Sequence, residues 1–199
     1  MKSLTAAIAV LVALALPSAA PAAVWNIDPD HSSVAFTIRH LMVSNVKGTF
    51  AKFSGTVEID EQNVAKSRIA VTIDTSSIGT NVQKRDDHLR SADFFDVAKY
   101  PTMTYVSHTI APAGQDRLTV TGDLTMHGVT REVVLAVEGL SPEGKDPWGG
   151  IRRGATASAR INRKDFGLAW NQLLETGGVA VGEEVAIALE VELVKVQSK

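Results

Sequence analysis

The sequence predicts an all-β protein: an antiparallel up-and-down barrel of about eight strands, with one short helical insert near residues 84–97. Apolar and polar residues alternate with a period of two over most of the chain, which is typical of strands that bury one face. The links between these segments are short, and strands do not alternate with helices. Within residues 46–60 the apolar residues switch from even to odd positions, and two glycines occur. These features supply the curvature that closure of a sheet requires. A two-sheet sandwich is the alternative.

The first strands are predicted at residues 25–28, 34–40 and 46–60. In the third, apolar residues occupy even positions up to Phe50 and odd positions from Phe53 onward. Keeping both sets on the buried face requires a bulge at residues 51 and 52.

Another strand is predicted at residues 69–73, and the pattern then breaks in the helical insert. The insert contains adjacent phenylalanines, Phe94 and Phe95, which we expect to pack on the sheet or to plug one end of it.

The most regular stretch is a β-hairpin over residues 122–138, which follows a strand at 102–110. Its turn at His127 and Gly128 is interpreted as structural, because a tight hairpin turn needs special backbone angles. The last strands are predicted at 152–162 and 185–196. Small residues at inward positions indicate space inside the barrel: Gly48, Gly55, Gly122, Ala155, Ala157 and Ala159.

Composition excludes several classes of function. The net charge of −2 makes the chain a poor nucleic-acid binder. The absence of cysteine excludes disulfides, thiol catalysis and cysteine-ligated metals. The sequence contains no Gly-x-Ser-x-Gly, His-Glu-x-x-His, P-loop or Gly-x-Gly-x-x-Gly motif. The five histidines do not pair at chelating spacings, so we predict no metal site and no catalytic residue.

Residues 1–22 have the pattern of a secretory signal peptide. Lys2 precedes an apolar run over residues 4–16, Pro17 ends it, and small residues lead to a cleavage site near Ala22. We therefore expect a single mature domain over residues 23–199, located in the periplasm or secreted. The apolar run is too short for a comfortable membrane span, so no stable membrane insertion is expected.

Several polar residues outside the apolar rows are candidates for chemistry. His40 ends an inward apolar row, and His88 lies on the helical insert. Either histidine with a nearby carboxylate could serve a lipid-acting enzyme, which is the minor alternative. Arg152 and Arg153 are interpreted as a solvated basic corner.

Five blocks, in the same order along the chain, resemble the YceI-like family. They are WNIDPDHSSVAFTIRH at 25–40, VKGTFAKFSG at 46–55, RDDHLRSADFFD at 85–96 with Pro101, GDLTMHGVT at 122–130 and NRKDFGLAWN at 162–171. The resemblance implies a lipocalin-like barrel that holds a long apolar ligand in an internal tunnel. Polyisoprenoids, isoprenoid quinones and prenyl phosphates are the implied ligands, with fatty-acid derivatives in some members.

From this resemblance and the strand pattern together, we predict that nine apolar residues line the tunnel: Phe36, Ile38, Phe50, Leu124, Val133, Leu135, Ile187, Leu189 and Val191. Five residues are predicted at the ligand's head group or at the mouth: His40, Arg85, His88, Arg163 and Trp170.

The predicted function is an exported carrier or sequestering protein for an isoprenoid or other lipid chain, with no cofactor besides that lipid. A binder of fatty-acid derivatives and a ligand-free, stress-related protein with a packed barrel are further alternatives. The pairing of two barrels as a homodimer is left open.

Overall fold

The computed structural model describes residues 22–175 and 177–197, so residues 1–21 of the expected signal peptide lie outside the described part of the chain. The strands are β1 (Ala23–Ile27), β2 (Ser33–His40), β3 (Ser44–Phe50), β4 (Phe53–Ile59), β5 (Arg68–Asp74), β6 (Ile78–Gly79), β7 (Thr102–Pro112), β8 (Arg117–Met126), β9 (Val129–Glu138), β10 (Gly144–Lys145), β11 (Ile151–Asn162) and β12 (Val181–Lys195). The helices are α1 (Gln83–Arg90) and the 3₁₀-helices Val64–Lys66, Thr75–Ser77 and Arg163–Phe166.

All pairings between these strands are antiparallel, and the sheet closes on itself. One edge of β12 pairs with β11, and its other edge pairs first with β2 and then with β1. The closed ring contains β1, β4, β5, β7, β8, β9, β11 and β12. β2 and β3 form a hairpin outside the ring that extends the wall at one end, where β6 adds a short strand. The predicted eight-stranded antiparallel barrel is confirmed, and closure rules out the sandwich.

The long strand expected at residues 46–60 is divided into β3 and β4 at the expected place. The backbone N–H of Ala51 donates to the carbonyl of Ser77, and that of Lys52 donates to the Ser77 hydroxyl at 3.0 Å. These two residues therefore leave the regular strand ladder. As a result Phe50 and Phe53, which have opposite parity, both face the interior.

The inward glycines Gly48, Gly55 and Gly122 do not enlarge the interior. A Cβ on Gly48 would clash with Cζ of Phe36, and one on Gly122 would lie 2.7 Å from Cζ of Tyr105. The glycines allow aromatic rings and adjacent strands to approach closely. The expectation that these glycines leave open space is therefore wrong.

The helical insert covers one end of the barrel, as expected. Asp86 on α1 is buried and accepts hydrogen bonds from the backbone N–H and the hydroxyl of Thr80, at 2.9 and 2.5 Å. Phe94 and Phe95 are both buried, and the ring of Phe95 packs edge-on against Phe50. Across residues 22–175 and 177–197, α1 and the 3₁₀-helices included, no helix combines the length and hydropathy of a membrane span.

At the opposite end, ion pairs centred on Arg152 join separate parts of the chain. Its Nη1 lies 2.5 Å from carboxylate oxygens of both Asp28 and Glu192, and its Nε lies 2.7 Å from Asp146. Bonding to Arg152, and secondarily to His31, lowers the pKa of the Asp28 carboxyl to about 2.

Arg153 packs over the ring of Trp25, with Cζ 5.8 Å from the ring centroid. Its side chain is 9% exposed and donates to the carbonyl of Ser141. The expected solvated basic corner is therefore wrong, because Arg152 and Arg153 are both used in packing.

Arg152→Gln tests this network. We expect it to lower the free energy of unfolding more than Arg117→Gln does, because Arg117 forms an exposed pair with Glu138 and such pairs contribute at most about 1 kcal/mol. The pKa of Asp28 is lowered on folding, so its stabilisation is complete above the ordinary value of 3.8 and is lost as the pH falls toward about 2.

The cost of Arg152→Gln should therefore be smaller at pH 3 than at pH 7, as measured by urea unfolding. Without the guanidinium, Asp28 can take up a proton at pH 3 and relieve repulsion in the cluster. A cost that is independent of pH, or no larger than that of Arg117→Gln, would contradict this account.

Candidate functional site

The barrel encloses a cavity of about 790 Å³. This volume lies in the upper part of the range of roughly 300–1,000 Å³ that is typical of small-molecule sites. At about 30 Å³ per atom, the share of one molecule in liquid water, it has room for roughly 20–30 ligand heavy atoms. Ala155 and Ala157 lie on its wall, as expected for small inward residues, whereas Ala159 packs into the neighbouring core.

All nine apolar residues predicted for the tunnel lie on the cavity wall: Phe36, Ile38, Phe50, Leu124, Val133, Leu135, Ile187, Leu189 and Val191. Their contact with a ligand stays a prediction. β4, β5 and β7 contribute wall residues that the sequence analysis did not select: Val57, Ile69, Val71, Ile73, Met103, Tyr105 and Ile110. Those on β4 and β5 follow the same period-two alternation and could have been found from it.

The hydroxyl of Tyr105 belongs to this wall but is satisfied by the backbone. It lies 3.0 Å from the carbonyl oxygen of Val120 and 3.2 Å from that of Val133, and it donates its proton to these acceptors. Burial, reinforced by the charges of Asp123 and Glu132, raises the pKa of Tyr105 to about 12. The phenol is therefore neutral at neutral pH and places no charge in the cavity.

A cluster of apolar side chains closes the end of the cavity that is remote from α1. Ile59 and Leu193 lie on the wall, and Trp25, which is fully buried, packs against them. The ring of Trp25 is also covered by the cations of Arg153 and Lys195. This end of the cavity is therefore lined by apolar side chains.

The five polar or aromatic residues predicted for the mouth border the other end: His40, Arg85, His88, Arg163 and Trp170. β2 brings His40 there because its last residue pairs with Val181, at the start of β12. Arg39, Lys84 and Gln172 border the same end and were missed. Isolated charges next to turns give no periodic signal in a sequence.

Two of the predicted head-group residues are engaged with the protein itself. Arg163 is buried, and its guanidinium donates to the carbonyls of Gly182 and Leu168. Burial lowers the pKa of Arg163. Arg85 donates to the hydroxyl and the carbonyl of Thr80, at 2.7 and 3.0 Å. These bonds favour the structural role of both arginines, which is to fix the covering segments to the barrel.

His88 and Trp170 form an aromatic group at the mouth. The ring of His88 packs edge-on against Trp170 at 4.8 Å and against Phe94 at 5.0 Å between centroids. Its Nε2 lies 2.9 Å from a carboxylate oxygen of Asp93. Among the hydrogen bonds of the described residues, none joins a hydroxyl group to this ring.

His127 occupies a structural position at the β8–β9 turn. Its backbone is left-handed, with φ of 53°, and its ring packs on Tyr100 at 4.5 Å. A Cβ on Gly167 would lie 3.2 Å from His127 Nδ1, so the turn packs closely against the segment after β11.

One group of potential ligand atoms for a metal occurs among the described residues. Asp28, His31 and Glu192 bring such atoms within 4.8 Å of one another. The guanidinium of Arg152 already bonds to both carboxylates, so the positive charge in this cluster belongs to the protein.

Comparison with known sequences identifies relatives along nearly the whole chain. The family model for the YceI-like domain matches residues 25–193. A UPF0312 protein of Vibrio cholerae is 41% identical over 170 residues, which are 84% of this chain and 89% of that protein. The protein YceI of Escherichia coli is 47% identical over 151 residues, which are 75% of this chain and 78% of that protein.

Solved structures have the same fold. BcnA of Burkholderia cenocepacia matches with a TM-score of 0.73 and 28% identity, over 83% of this chain and 98% of BcnA. The YCEI protein of Campylobacter jejuni matches with a TM-score of 0.67 and 30% identity, over 79% and 90% of the two chains.

A domain from Saccharophagus degradans, described as a polyisoprenoid binding domain, matches with a TM-score of 0.63 over 88% of this chain and 99% of its own. At 18% identity this last likeness concerns the fold alone. The match to the family model and the identity to relatives lead to one conclusion: the chain belongs to the YceI-like family.

Proposed function

We propose that this protein is exported and holds a long apolar chain inside its barrel, as a carrier or a sequestering protein. The proposed ligand is a polyisoprenoid, an isoprenoid quinone or a prenyl phosphate. The observation that carries the proposal is the enclosed cavity of about 790 Å³ with its apolar wall. Such a wall stabilises a ligand through the apolar area that leaves water, at about 25 cal/mol per Å².

The size of the cavity limits how much of a long chain it can hold. Roughly 20–30 heavy atoms fit inside, so a longer chain extends through the polar mouth. The head group of such a ligand then lies beside His40, Lys84 and His88. A fatty-acid derivative fits the same wall and is the nearest alternative, because the wall offers few polar groups for selection.

Two further observations support the proposal. A domain with the same fold is described as a polyisoprenoid binding domain, so the proposed ligand class is one that a barrel of this kind is described as binding. The signal-peptide pattern of residues 1–22 supports export to the periplasm or beyond.

The remaining alternatives have less support. A ligand-free, stress-related protein requires a packed barrel, and the cavity argues against this. A lipid-acting enzyme would need a histidine–carboxylate pair, and His88 and Asp93 form one, but these side chains are 39% and 55% exposed. A binding function gives the enclosed apolar wall a role. An enzyme whose site is the exposed pair His88 and Asp93 does not account for that wall.

Ala157→Phe tests whether the cavity is the binding site. The added ring occupies space that the ligand needs, so we expect binding of an isoprenoid quinone to fall on the order of tenfold or more. Ser158→Phe is the matched control, since it places the same ring on the exposed face of β11. The measurement is the quinone that stays with the protein through gel filtration, read by absorbance. Equal retention by the parent and both variants would contradict the proposed site.

Arg163→Met separates the structural role of Arg163 from a head-group role. It leaves the carbonyls of Gly182 and Leu168 without their donor, so the free energy of unfolding should fall by about 2 kcal/mol. Lys84→Met, at an exposed position of the same mouth, should leave stability nearly unchanged. A stable Arg163→Met protein that has lost quinone retention would instead assign Arg163 to the ligand.

A further inference from the structure

We infer that the end of the barrel where the cavity opens docks on the surface of a lipid bilayer. The docking surface, called here the rim, consists of Leu41, Met42, Val43, Val82 and Leu173. The inference rests on the proposed function in one respect: a membrane-soluble ligand that enters or leaves the cavity has to cross this rim.

The rim exposes large apolar side chains next to the cavity. Met42 is 51% exposed, Val43 73% and Leu173 83%. Leu41 and Val82 are exposed to solvent and also line the cavity, so the outer apolar surface continues into the inner one. Scattered exposed apolar residues are normal on a protein surface, whereas a group of them around one opening marks an interaction site.

The parts of the rim are held side by side. The backbone N–H of Leu41 donates to the carbonyl of Ala180 at 2.8 Å, which joins the β2–β3 turn to the segment before β12. In that segment Leu173 pairs with Val179 in an isolated β-bridge. The exposed side chains of the turn and of the segment therefore form one surface.

The β2–β3 turn presents its apolar side chains against local backbone preference. Val43 N–H donates to the carbonyl of His40, which leaves Leu41 and Met42 as the two turn residues, with φ of 49° and 58°. Asparagine and glycine are the favoured residues in such a left-handed hairpin turn. A turn that holds leucine and methionine instead is strained, and strain of this kind concentrates at functional positions.

Positive charge beside the rim fits an anionic bilayer. Arg39 and Lys84 are exposed and border the mouth. Neither takes part in an ion pair with any carboxylate of the described residues. Glu183 and Glu184, near the same end of β12, are each paired with a basic side chain. Glu175, exposed in the segment that carries Leu173, is one acidic residue against these two cations. Apolar side chains flanked by cations bind the boundary of a membrane that contains anionic lipids.

The opposite end of the barrel gives a contrast within the same molecule. Trp148 is 86% exposed there, and its backbone N–H donates to Asp146, whose carboxylate pairs with Arg152. Val24 and Val196 at that end are less exposed, at 39% and 45%, and none of these three residues lines the cavity. β12 runs the length of the barrel from Val181 at the mouth to Lys195 near Trp148, which places the two surfaces at opposite ends.

Cosedimentation with vesicles tests the inference on the mature protein. The parent should sediment with vesicles of phosphatidylethanolamine and phosphatidylglycerol, and at least fivefold less with phosphatidylcholine vesicles. The bound fraction should fall as salt is raised, because screening weakens the attraction of Arg39 and Lys84. Met42→Gly/Val43→Thr, and separately Leu173→Ser, should each reduce the bound fraction at least fivefold.

Neither of these variants is expected to harm the fold. Glycine suits the left-handed backbone of residue 42, and threonine keeps the β-branched shape of Val43. The temperature of unfolding should therefore not decrease. Trp148→Ser, which removes the exposed apolar side chain of the other end, should bind vesicles as the parent does.

Quinone retention without vesicles separates this inference from the proposed function, because none of the substituted residues lines the cavity. If the parent retained no quinone but still bound vesicles, the proposed function would be overturned and the docking inference would stand. Equal vesicle binding by the parent and the rim variants would overturn docking. Equal loss in Trp148→Ser would do the same. A dimer of the parent that the rim variants lack, seen by light scattering, would assign the rim to a second copy of the chain instead.

Discussion

The pairing of β11 with β12 is the contact on which the rest of the structure depends. It runs without interruption from Arg152–Val194 to Asn162–Glu184 and joins the two ends of an otherwise open sheet. Once this pairing forms, every strand of the ring has a partner on both sides, and the inward faces of the strands surround a common space. The alternation of Ile187, Leu189 and Val191 with outward glutamates on β12 then becomes one side of an apolar wall.

Large side chains close the two ends of the cavity. Phe94, Phe95 and Phe166 pack under the insert at the mouth, and Trp25 fills the other end. The cavity wall carries Phe36, Phe50 and Tyr105 as well as aliphatic side chains, and Ala155 and Ala157 are among its smallest residues. Glycines do not contribute to this space, because the ring of Phe36 packs against Gly48.

Sequence reasoning succeeded where the deciding signal was local. The period of two placed nine residues on the inward face, where they line the cavity, although the expectation of a tunnel came from the family resemblance. The switch of apolar residues from even to odd positions between Phe50 and Phe53 located the break between β3 and β4. It failed where distant partners decide the role of a residue. Arg152 resembles a solvated surface residue until Asp28 and Glu192, which are far away in the sequence, are placed beside it.

The mouth was only partly predictable for the same reason. Arg163 was a reasonable candidate for a head group, but the carbonyls that it bonds belong to segments whose approach depends on the closed barrel. The rim was missed entirely, because apolar residues in a short turn have no periodicity to mark them. The structure is needed to recognise the rim, because it shows that Leu41 lies on both the outer surface and the cavity wall.

The proposed function requires that a long lipid chain fills the apolar cavity in the cell. The decisive measurement is native mass spectrometry of the mature protein, purified without detergent from its own host. We expect a protein mass raised by that of a lipid, which organic extraction releases as an isoprenoid or related chain. A bare protein mass, with no lipid recovered in the extract, would contradict the proposed function.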